Sequence, residues 1–316
     1  MKRKIVVGID TSNYTTSVAL ITTDGELVAN IKRPLPVKTG ERGLRQSDAV
    51  FAHIKNLPSA MEEAKTYMAD SECVAIGVSE KPRNAIGSYM PCFLSGVAAA
   101  ESVSALCSAP IYKFSHQCGH IMAALYSSKR FDLFDKTFCA FHVSGGTTEM
   151  LRVTPTDFAF SCELVGGTAD LNAGQVIDRI GVHMGLQFPA GREIEALALE
   201  NSKKLPSAKP KLTDMRVNLS GLENMAVKLY SETNDERLVS AFVLDYISKG
   251  LSLLAESYIT SFGESEFVFA GGVMSNSIIK NNLRCKFNAS FAEPALSADN
   301  AVGIAYLALK RFNSEK

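Results

Sequence analysis

Apolar positions along this chain gather into short runs that stop on glycine, serine, threonine or aspartate, and their period sorts them into strands and helices. Residues 4–9 read as a first strand, apolar after Lys4 and ending at Asp10, and residues 17–22 form a second apolar stretch. The hydroxyl-rich turn Asp10-Thr11-Ser12-Asn13-Tyr14-Thr15-Thr16 separates them. The same arrangement returns near the middle of the chain. An apolar run over 137–143 meets the small polar turn Ser144-Gly145-Gly146-Thr147-Thr148, and a strand over 149–153 follows. Two such hairpins, so far apart in sequence, predict an internal duplication in which each opens one lobe and their tips face across a cleft. A Gly/Ser/Thr tip offers backbone N–H groups and hydroxyls to phosphate oxygens. The same residues also build plain hairpin turns.

Two further buried strands are expected at 74–78 and 267–270. The first leads into Ser79-Glu80-Lys81-Pro82-Arg83. The second leads into Gly271-Gly272-Val273 and a helix start at Ser275-Asn276-Ser277, where Asn276 is placed to hydrogen-bond a ribose or base. Helical periodicity covers 49–67, 93–107, 176–184 and 236–262, and the lysine-rich, proline-containing stretch 201–218 reads as a surface excursion. Strands alternating with helices predict an α/β architecture with mixed sheets flanked by helices. The expected division is a first lobe over 1–135 and a second over 136–316. The second carries a helical excursion around 185–235, and the last helix has the option of packing back on the first lobe.

Charge narrows the partners. The 316 residues carry 33 basic and 33 acidic side chains, which argues against broad adhesion to nucleic acid or anionic membrane but leaves room for a local basic patch. The apolar run after Met1-Lys2-Arg3-Lys4 breaks at Asp10, before a signal-peptide core is complete. No segment is expected to reach the roughly 18 apolar residues that span a bilayer. Seven cysteines are scattered without a C-x-x-C pair, as in a chain that keeps reduced thiols. The expected compartment is the cytoplasm, with no membrane partner.

The sharpest chemical motif is His116-Gln117-Cys118-Gly119-His120. Histidines at i and i+4 share one helix face, so both imidazoles reach a single ion. The spacing also occurs by chance, and two histidines leave a coordination sphere incomplete. Asp299, in a small polar turn before the last helix, is a candidate third ligand, although spacing alone does not select it. The stretch from Gly166 to Gln175 reads as a glycine-rich helix opening, with Asp178 one turn beyond Gly174 and on its face. A carboxylate there suits a ribose or polar acyl group; it equally suits a solvated helix surface.

Taken together, these segments resemble the TsaD-type threonylcarbamoyl transferase family, long labelled glycoproteases. The matching motifs run in order: Gly8-Ile9-Asp10-Thr11-Ser12; His116 and His120; Val143-Ser144-Gly145-Gly146; Ala173-Gly174 through Asp178; Phe188-Pro189-Ala190-Gly191; Leu219-Ser220-Gly221-Leu222; Ala270-Gly271-Gly272-Val273 with Asn276; and Asp299-Asn300. The resemblance implies a duplicated actin/hexokinase/Hsp70-like (ASKHA) fold. It implies one divalent metal held by His116, His120 and Asp299, iron by family likeness, with zinc or manganese equally suited to the donors. It implies an adenylate or ATP contacting Val143, Ser144, Gly145, Gly146, Asp178, Gly191 and Asn276. The implied reaction carries a threonylcarbamoyl group from its adenylate to the exocyclic amine of an adenosine beside the tRNA anticodon. Implied partners are tRNA and accessory threonylcarbamoylation proteins, including a paralogue of the same fold. No catalytic residue is assigned.

The sequence departs from the family pattern at four places. Asn13-Tyr14-Thr15 stands where Cys-Asp-Glu is usual, Thr147 replaces a histidine, Gln175 replaces a glutamate, and Lys81-Pro82-Arg83 replaces a more glycine-rich loop. Such changes also fit a diverged paralogue that binds nucleotide and metal as a scaffold, or a carbamoyl or acyl transferase acting on a small molecule. Proteolysis is disfavoured, because Gln117 follows His116 where a His-Glu-x-x-His helix requires glutamate.

Overall fold

The computed structural model describes residues 2–12, 14–36, 44–297 and 299–316. The first half runs β1 (Arg3–Thr11), β2 (Thr15–Thr22), β3 (Leu27–Pro34), α1 (Gln46–Thr66), β4 (Ser71–Lys81), α2 (Phe93–Cys107), β5 (Ile111–Ser115) and α3 (His116–Ser128). The second half runs β6 (Phe138–Val143), β7 (Thr148–Pro155), β8 (Phe160–Thr168), α4 (Ala173–His183), α5 (Gly191–Leu199), β9 (Leu212–Thr213), β10 (Arg216–Val217), α6 (Ser220–Thr233) and α7 (Glu236–Phe262). It closes with β11 (Glu266–Ala270), α8 (Ser277–Arg284), β12 (Asn288–Phe291), α9 (Pro294–Ser297) and α10 (Val302–Ser314).

These elements divide into two units. The first holds Met1–Asp135, Thr154–Cys162 and Ala295–Lys316; the second holds Lys136–Val153 and Glu163–Pro294. A single cut at 135/136 is therefore too simple. The chain re-enters the first unit twice, the second time with α10, which packs on α3, β1 and β4.

The sheet of the first unit has the order β3-β2-β1-β4-β5, an antiparallel meander extended by two parallel strands. β1 is buried on both faces from Ile5 onward, which is why it reads as a continuous apolar run rather than an alternating one. Ile5, Val7 and Ile9 pack with Leu57, Ala60 and Ala64 of α1 and Ala100 of α2. On the sheet's other face α10 lies so close that a Cβ on Gly8 would sit 2.5 Å from the Ala301 carbonyl oxygen, and one on Gly77 would sit 2.6 Å from that of Ile304. Gly8 and Gly77 are register partners in β1 and β4, so the pair opens one slot for the helix. The strand expected over 74–78 continues to Lys81, whose register partner is Ser115 of β5.

The order β8-β7-β6-β11-β12 of the second unit repeats that plan, with β10 and β9 added beyond β8. Both predicted hairpins, β1–β2 and β6–β7, are antiparallel pairs. Phe141, Phe269 and Phe291 stack across neighbouring strands with ring centroids 4.7 and 5.1 Å apart. Two local expectations are revised. Gly166, Gly167 and Thr168 finish β8 instead of opening a helix, and the 201–218 excursion contributes β9 and β10 to the sheet edge.

α7 overturns the expectation that no segment is long and apolar enough to span a bilayer. Its 27 residues meet that test by length and composition, but 83% of the apolar window is buried within the protein. It is a core helix, capped by Asp235 accepting from Arg237 and Leu238 N–H and stopped by Gly263 at φ 80°.

Candidate active site

α3 begins directly where β5 ends. Ser115 caps it, accepting from Cys118 N–H, and the Pro82 carbonyl accepts from Gln117 N–H. The departing loop Lys81-Pro82-Arg83 thus does structural work at the start of this helix. His116 and His120 project from one face, their Nε2 atoms 2.9 Å apart. Asp299 Oδ1 lies 3.3 Å from His120 Nε2 and 3.6 Å from His116 Nε2. All three side chains are partly buried.

The helix crossing explains how a residue from the far end of the chain arrives here. A Cβ on Gly303 of α10 would lie 1.9 Å from the Gly119 carbonyl oxygen, and one on Gly119 would lie 2.9 Å from Ile304 Cδ1. The two glycines let α3 and α10 touch backbone to backbone, and Asp299, just before α10, reaches the histidine face.

Asp10, at the end of β1, stands behind His116 with Oδ1 2.9 Å from Nδ1. It is fully buried, and its carboxyl is held below the usual range: burial opposes this, but His116 and the Ser79 hydroxyl outweigh burial. A carboxylate accepting from Nδ1–H leaves Nε2 with its lone pair turned toward His120 and Asp299, the tautomer a metal ligand requires. Burial disfavours the His116 proton, yet Asp10 and Asp299 together push its pKa up to about 9. Asp299 is driven far below the carboxylate range, burial again being overcome by His120 and His116.

This donor set fits a divalent ion. Ligands about 2.1 Å from a shared ion stand roughly 3.0 Å apart in octahedral and roughly 3.4 Å apart in tetrahedral geometry. The observed separations of 2.9, 3.3 and 3.6 Å bracket those values. Asp10 Oδ2, Ser12 Oγ and Ser79 Oγ are buried without a hydrogen bond of normal geometry. The spacing of His116 and His120 was legible in the sequence, and Asp299 came only through the family resemblance; the place of Asp10 was not legible, although a carboxylate closing an apolar strand was its visible signal.

The second unit builds a different arrangement. In the β6–β7 tip, Ser144 N–H donates to Thr147 O at 2.7 Å, while Ser144 Oγ accepts from Gly146 N–H and Thr147 N–H. The tip is laced to the start of α4. Gly174 N–H donates to Ser144 O, Asn172 Nδ2 donates to Gly146 O at 2.8 Å, and Ala173 N–H donates to Thr148 Oγ1. A Cβ on Gly174 would stand 2.7 Å from Gly145 N, so only glycine permits this contact.

Beside the tip lies a cleft of about 670 Å³, lined by Gly145, Gln175 and Asp178 with Arg179, His183, Phe188 and Glu223 among its other walls. Gly145 and Asp178 are the two expected nucleotide residues that face it. Asp178 Oδ1 accepts from Ala190 N–H, which draws the start of α5 and Gly191 alongside. The Val143 side chain is buried in the core, with only its backbone at the tip. Asn276 is also buried; its Oδ1 caps α8, accepting from Ile278 and Ile279 N–H, which leaves its amide NH₂ as the group for any ligand. Glu195, absent from the sequence-based assignment, accepts from Ser277 N–H and Oγ.

Of the four departures, Gln175 lines this cleft, Thr147 forms the tip and Lys81 pairs with Glu80 at 3.3 Å. Tyr14 and Thr15 close the β1–β2 turn, while Asn13 lies outside the described residues.

The family model described as TsaD, tRNA N6-adenosine threonylcarbamoyltransferase, matches residues 36–306. The chain belongs to the TsaD family. Membership places it among transferases of tRNA modification. A tRNA N6-adenosine threonylcarbamoyltransferase of Streptococcus pneumoniae (strain Taiwan19F-14) is 28% identical over 334 aligned positions, covering 100% of this chain and 94% of the relative. The protein of the same description from Streptococcus suis (strain 05ZYH33) is 28% identical over 330 positions, with the same coverage. Solved structures relate the TsaD chain to the wider ASKHA fold. Component A of the Acidaminococcus fermentans (R)-2-hydroxyglutaryl-CoA dehydratase superposes with a TM-score of 0.55 at 14% identity, over 98% of this chain and 99% of the other. A ROK family glucokinase from Streptomyces griseus gives 0.52 at 10% identity, over 97% and 99%.

Proposed function

We propose that this TsaD-family protein is a metal-dependent acyltransferase that moves a threonylcarbamoyl group from threonylcarbamoyl-adenylate to the exocyclic amine of an adenosine beside a tRNA anticodon. The observation that carries the reading is the convergence of His116 Nε2, His120 Nε2 and Asp299 Oδ1, with Asp10 fixing the His116 tautomer. The names of the relatives supply the transferred threonylcarbamoyl group and the N6-adenosine acceptor in tRNA; the adenylate donor is what the family resemblance implies.

In the step, the amine nitrogen forms a bond to the carbamoyl carbon, the bond from that carbon to the adenylate phosphate oxygen breaks, AMP leaves, and the amine loses a proton. The donor is already activated, so orientation of the two reactants, of order 7–11 kcal/mol in favourable cases, is the main contribution required of the protein. A divalent ion bound by the triad would supply positive charge toward the carbonyl oxygen as negative charge develops there. Asp10 holds the His116 ring by its Nδ1–H and keeps Nε2 available. The Ser144–Thr147 tip presents a preformed turn to phosphate oxygens, and Asp178 and the Asn276 amide are the groups assigned to the nucleoside. The metal is iron, zinc or manganese by its donors, the compartment cytoplasmic, and the accessory proteins include a same-fold paralogue.

The test is turnover of threonylcarbamoyl-adenylate with unmodified tRNA and metal-loaded protein, alone and with accessory proteins, comparing wild type with His116→Ala. Threonylcarbamoyladenosine that forms in wild type and disappears in the variant supports the reading. No product under any of these conditions sinks it.

A further inference from the structure

The segment between α5 and α6 forms a sheet edge and also carries an excess of positive charge. Between 201 and 218 stand Lys203, Lys204, Lys209, Lys211 and Arg216 against a single acid, Asp214, in a chain that carries 33 basic and 33 acidic residues as a whole. Lys203 is neutralised by Asp235 at 2.7 Å. Among the described residues, Lys204, Lys209, Lys211 and Arg216 have no carboxylate within salt-bridge distance, and all four are exposed. Arg216 has one anchoring bond, from Nη1 to the Thr168 carbonyl.

These cations are ordered by the fold. Leu205, Ala208, Leu212 and Met215 are packed against the core of the second unit, and Val217 is part of it. Pro210 and Val217 both sit over Gly250 of α7, 3.8 and 3.3 Å from where its Cβ would be. Inward Ala208, Pro210 and Leu212 alternate with outward Lys209 and Lys211, and inward Met215 and Val217 flank outward Arg216. The period of two turns one face to the core and leaves the other a row of charge. The row is further pinned where Asp170 accepts from Leu219 and Ser220 N–H, at the start of α6. Glu223 of that helix lines the candidate nucleotide cleft.

We propose that Lys204, Lys209, Lys211 and Arg216 form the surface that grips the phosphate backbone of the RNA acceptor. The inference rests on the reading of that acceptor as a tRNA. A fixed row of unpaired cations with no large apolar side chain exposed among them suits a polyanion read through its phosphates. An anionic membrane is the weaker fit, because interfacial binding needs apolar side chains to enter the lipid, and those of this segment already face the core.

The experiment measures binding of unmodified tRNA by fluorescence anisotropy across a salt series. It compares the wild-type chain, the quadruple variant Lys204→Gln/Lys209→Gln/Lys211→Gln/Arg216→Gln, and a control, Lys2→Gln/Arg3→Gln/Lys4→Gln/Lys55→Gln, that loses equal charge from exposed positions in the first unit. With roughly 0.7–0.9 of log–log salt slope per phosphate contact, the quadruple variant should lose about three units of slope. Its affinity at low salt should fall more than about tenfold, with adenylate-analogue binding unchanged and the control near wild type. A quadruple variant that keeps wild-type affinity and slope, while wild type still binds and modifies tRNA, overturns the cation row and leaves the transferase standing. Wild type that shows no salt-dependent tRNA binding overturns both. Retention on phosphatidylserine vesicles, lost in the quadruple variant while tRNA binding is kept, assigns the row to membrane and overturns the RNA proposal.

Discussion

His116 Nδ1 stands 2.9 Å from the fully buried carboxylate of Asp10, and this bond turns the other ring nitrogen toward His120 and Asp299. Asp10→Asn keeps the volume but removes the charge that holds the tautomer. Metal affinity should fall by about 10–100-fold, the usual effect of losing a carboxylate behind a ligating histidine. Competitive chelator titration checks this, with circular dichroism confirming that the fold persists. Affinity within twofold of wild type would remove Asp10 from the metal centre.

Proton linkage gives a second prediction. A histidine whose folded pKa is raised stabilises the protein fully below its unfolded value of about 6.5 and loses that contribution as pH rises through the folded value. His116, pushed up to about 9 by Asp10 and Asp299 against the opposing effect of burial, should do this in metal-stripped protein. The melting temperature of chelator-treated wild type should therefore decline between about pH 6.5 and 9. His116→Gln should flatten that decline, measured by calorimetry in matched ionic strength. Identical alkaline slopes in both proteins would contradict it.

Gly303→Ala tests the crossing of α3 and α10. The new Cβ would meet the Gly119 carbonyl at 1.9 Å, so the helices must separate. Overpacking of this kind costs about 1–3 kcal/mol and should carry Asp299 away from the histidines. Denaturant unfolding should show the loss of stability, and metal titration a loss larger than that of a comparably destabilised core variant of the second unit such as Val239→Ala. Equal metal losses in the two would argue that the crossing does not set the site.

Gly174→Ala addresses the second unit. Its Cβ would stand 2.7 Å from Gly145 N, prising the β6–β7 tip from α4. Affinity for a nonhydrolysable adenylate analogue should drop by about tenfold or more, since backbone groups that cradle phosphate must approach closely. Metal affinity should not move. Calorimetric titration of both ligands separates the outcomes, and unchanged nucleotide binding would exclude the tip as a phosphate cradle.

Asp178→Ala removes the acceptor for Ala190 N–H, whereas Asp178→Asn retains an oxygen there. If the carboxylate also contacts the nucleoside, both should weaken analogue binding, the asparagine variant less. A loss of stability of about 1 kcal/mol confined to the alanine variant, with analogue binding intact in both, would make Asp178 purely structural.

Much of this was legible in the chain because it is local. The i and i+4 spacing of His116 and His120 needs only helical geometry, and the paired hairpins need only short apolar runs ending on small polar residues. The helix start at Asn276 was likewise visible as Ser275-Asn276-Ser277, and the extent of α7 from its helical periodicity. What failed was also local in cause. Gly166 and Gly167 look like a helix opening by composition, yet β8 runs through them and β10 pairs with Gly167 and Thr168. The lysine-rich stretch looks like a loose excursion until its inward residues find the surface of α7.

From sequence alone came the α/β class, the duplicated hairpins, the histidine pair and, through ordered motifs, the family. Tertiary structure alone decided that the chain returns twice to the first unit, that Gly303 meets Gly119, and that Asp10 stands behind His116. It also decided which face of 201–218 keeps its charge. The reason is physical: periodicity and capping are governed by neighbours within about one helical turn, whereas each of these contacts joins residues distant in sequence and made adjacent only by packing.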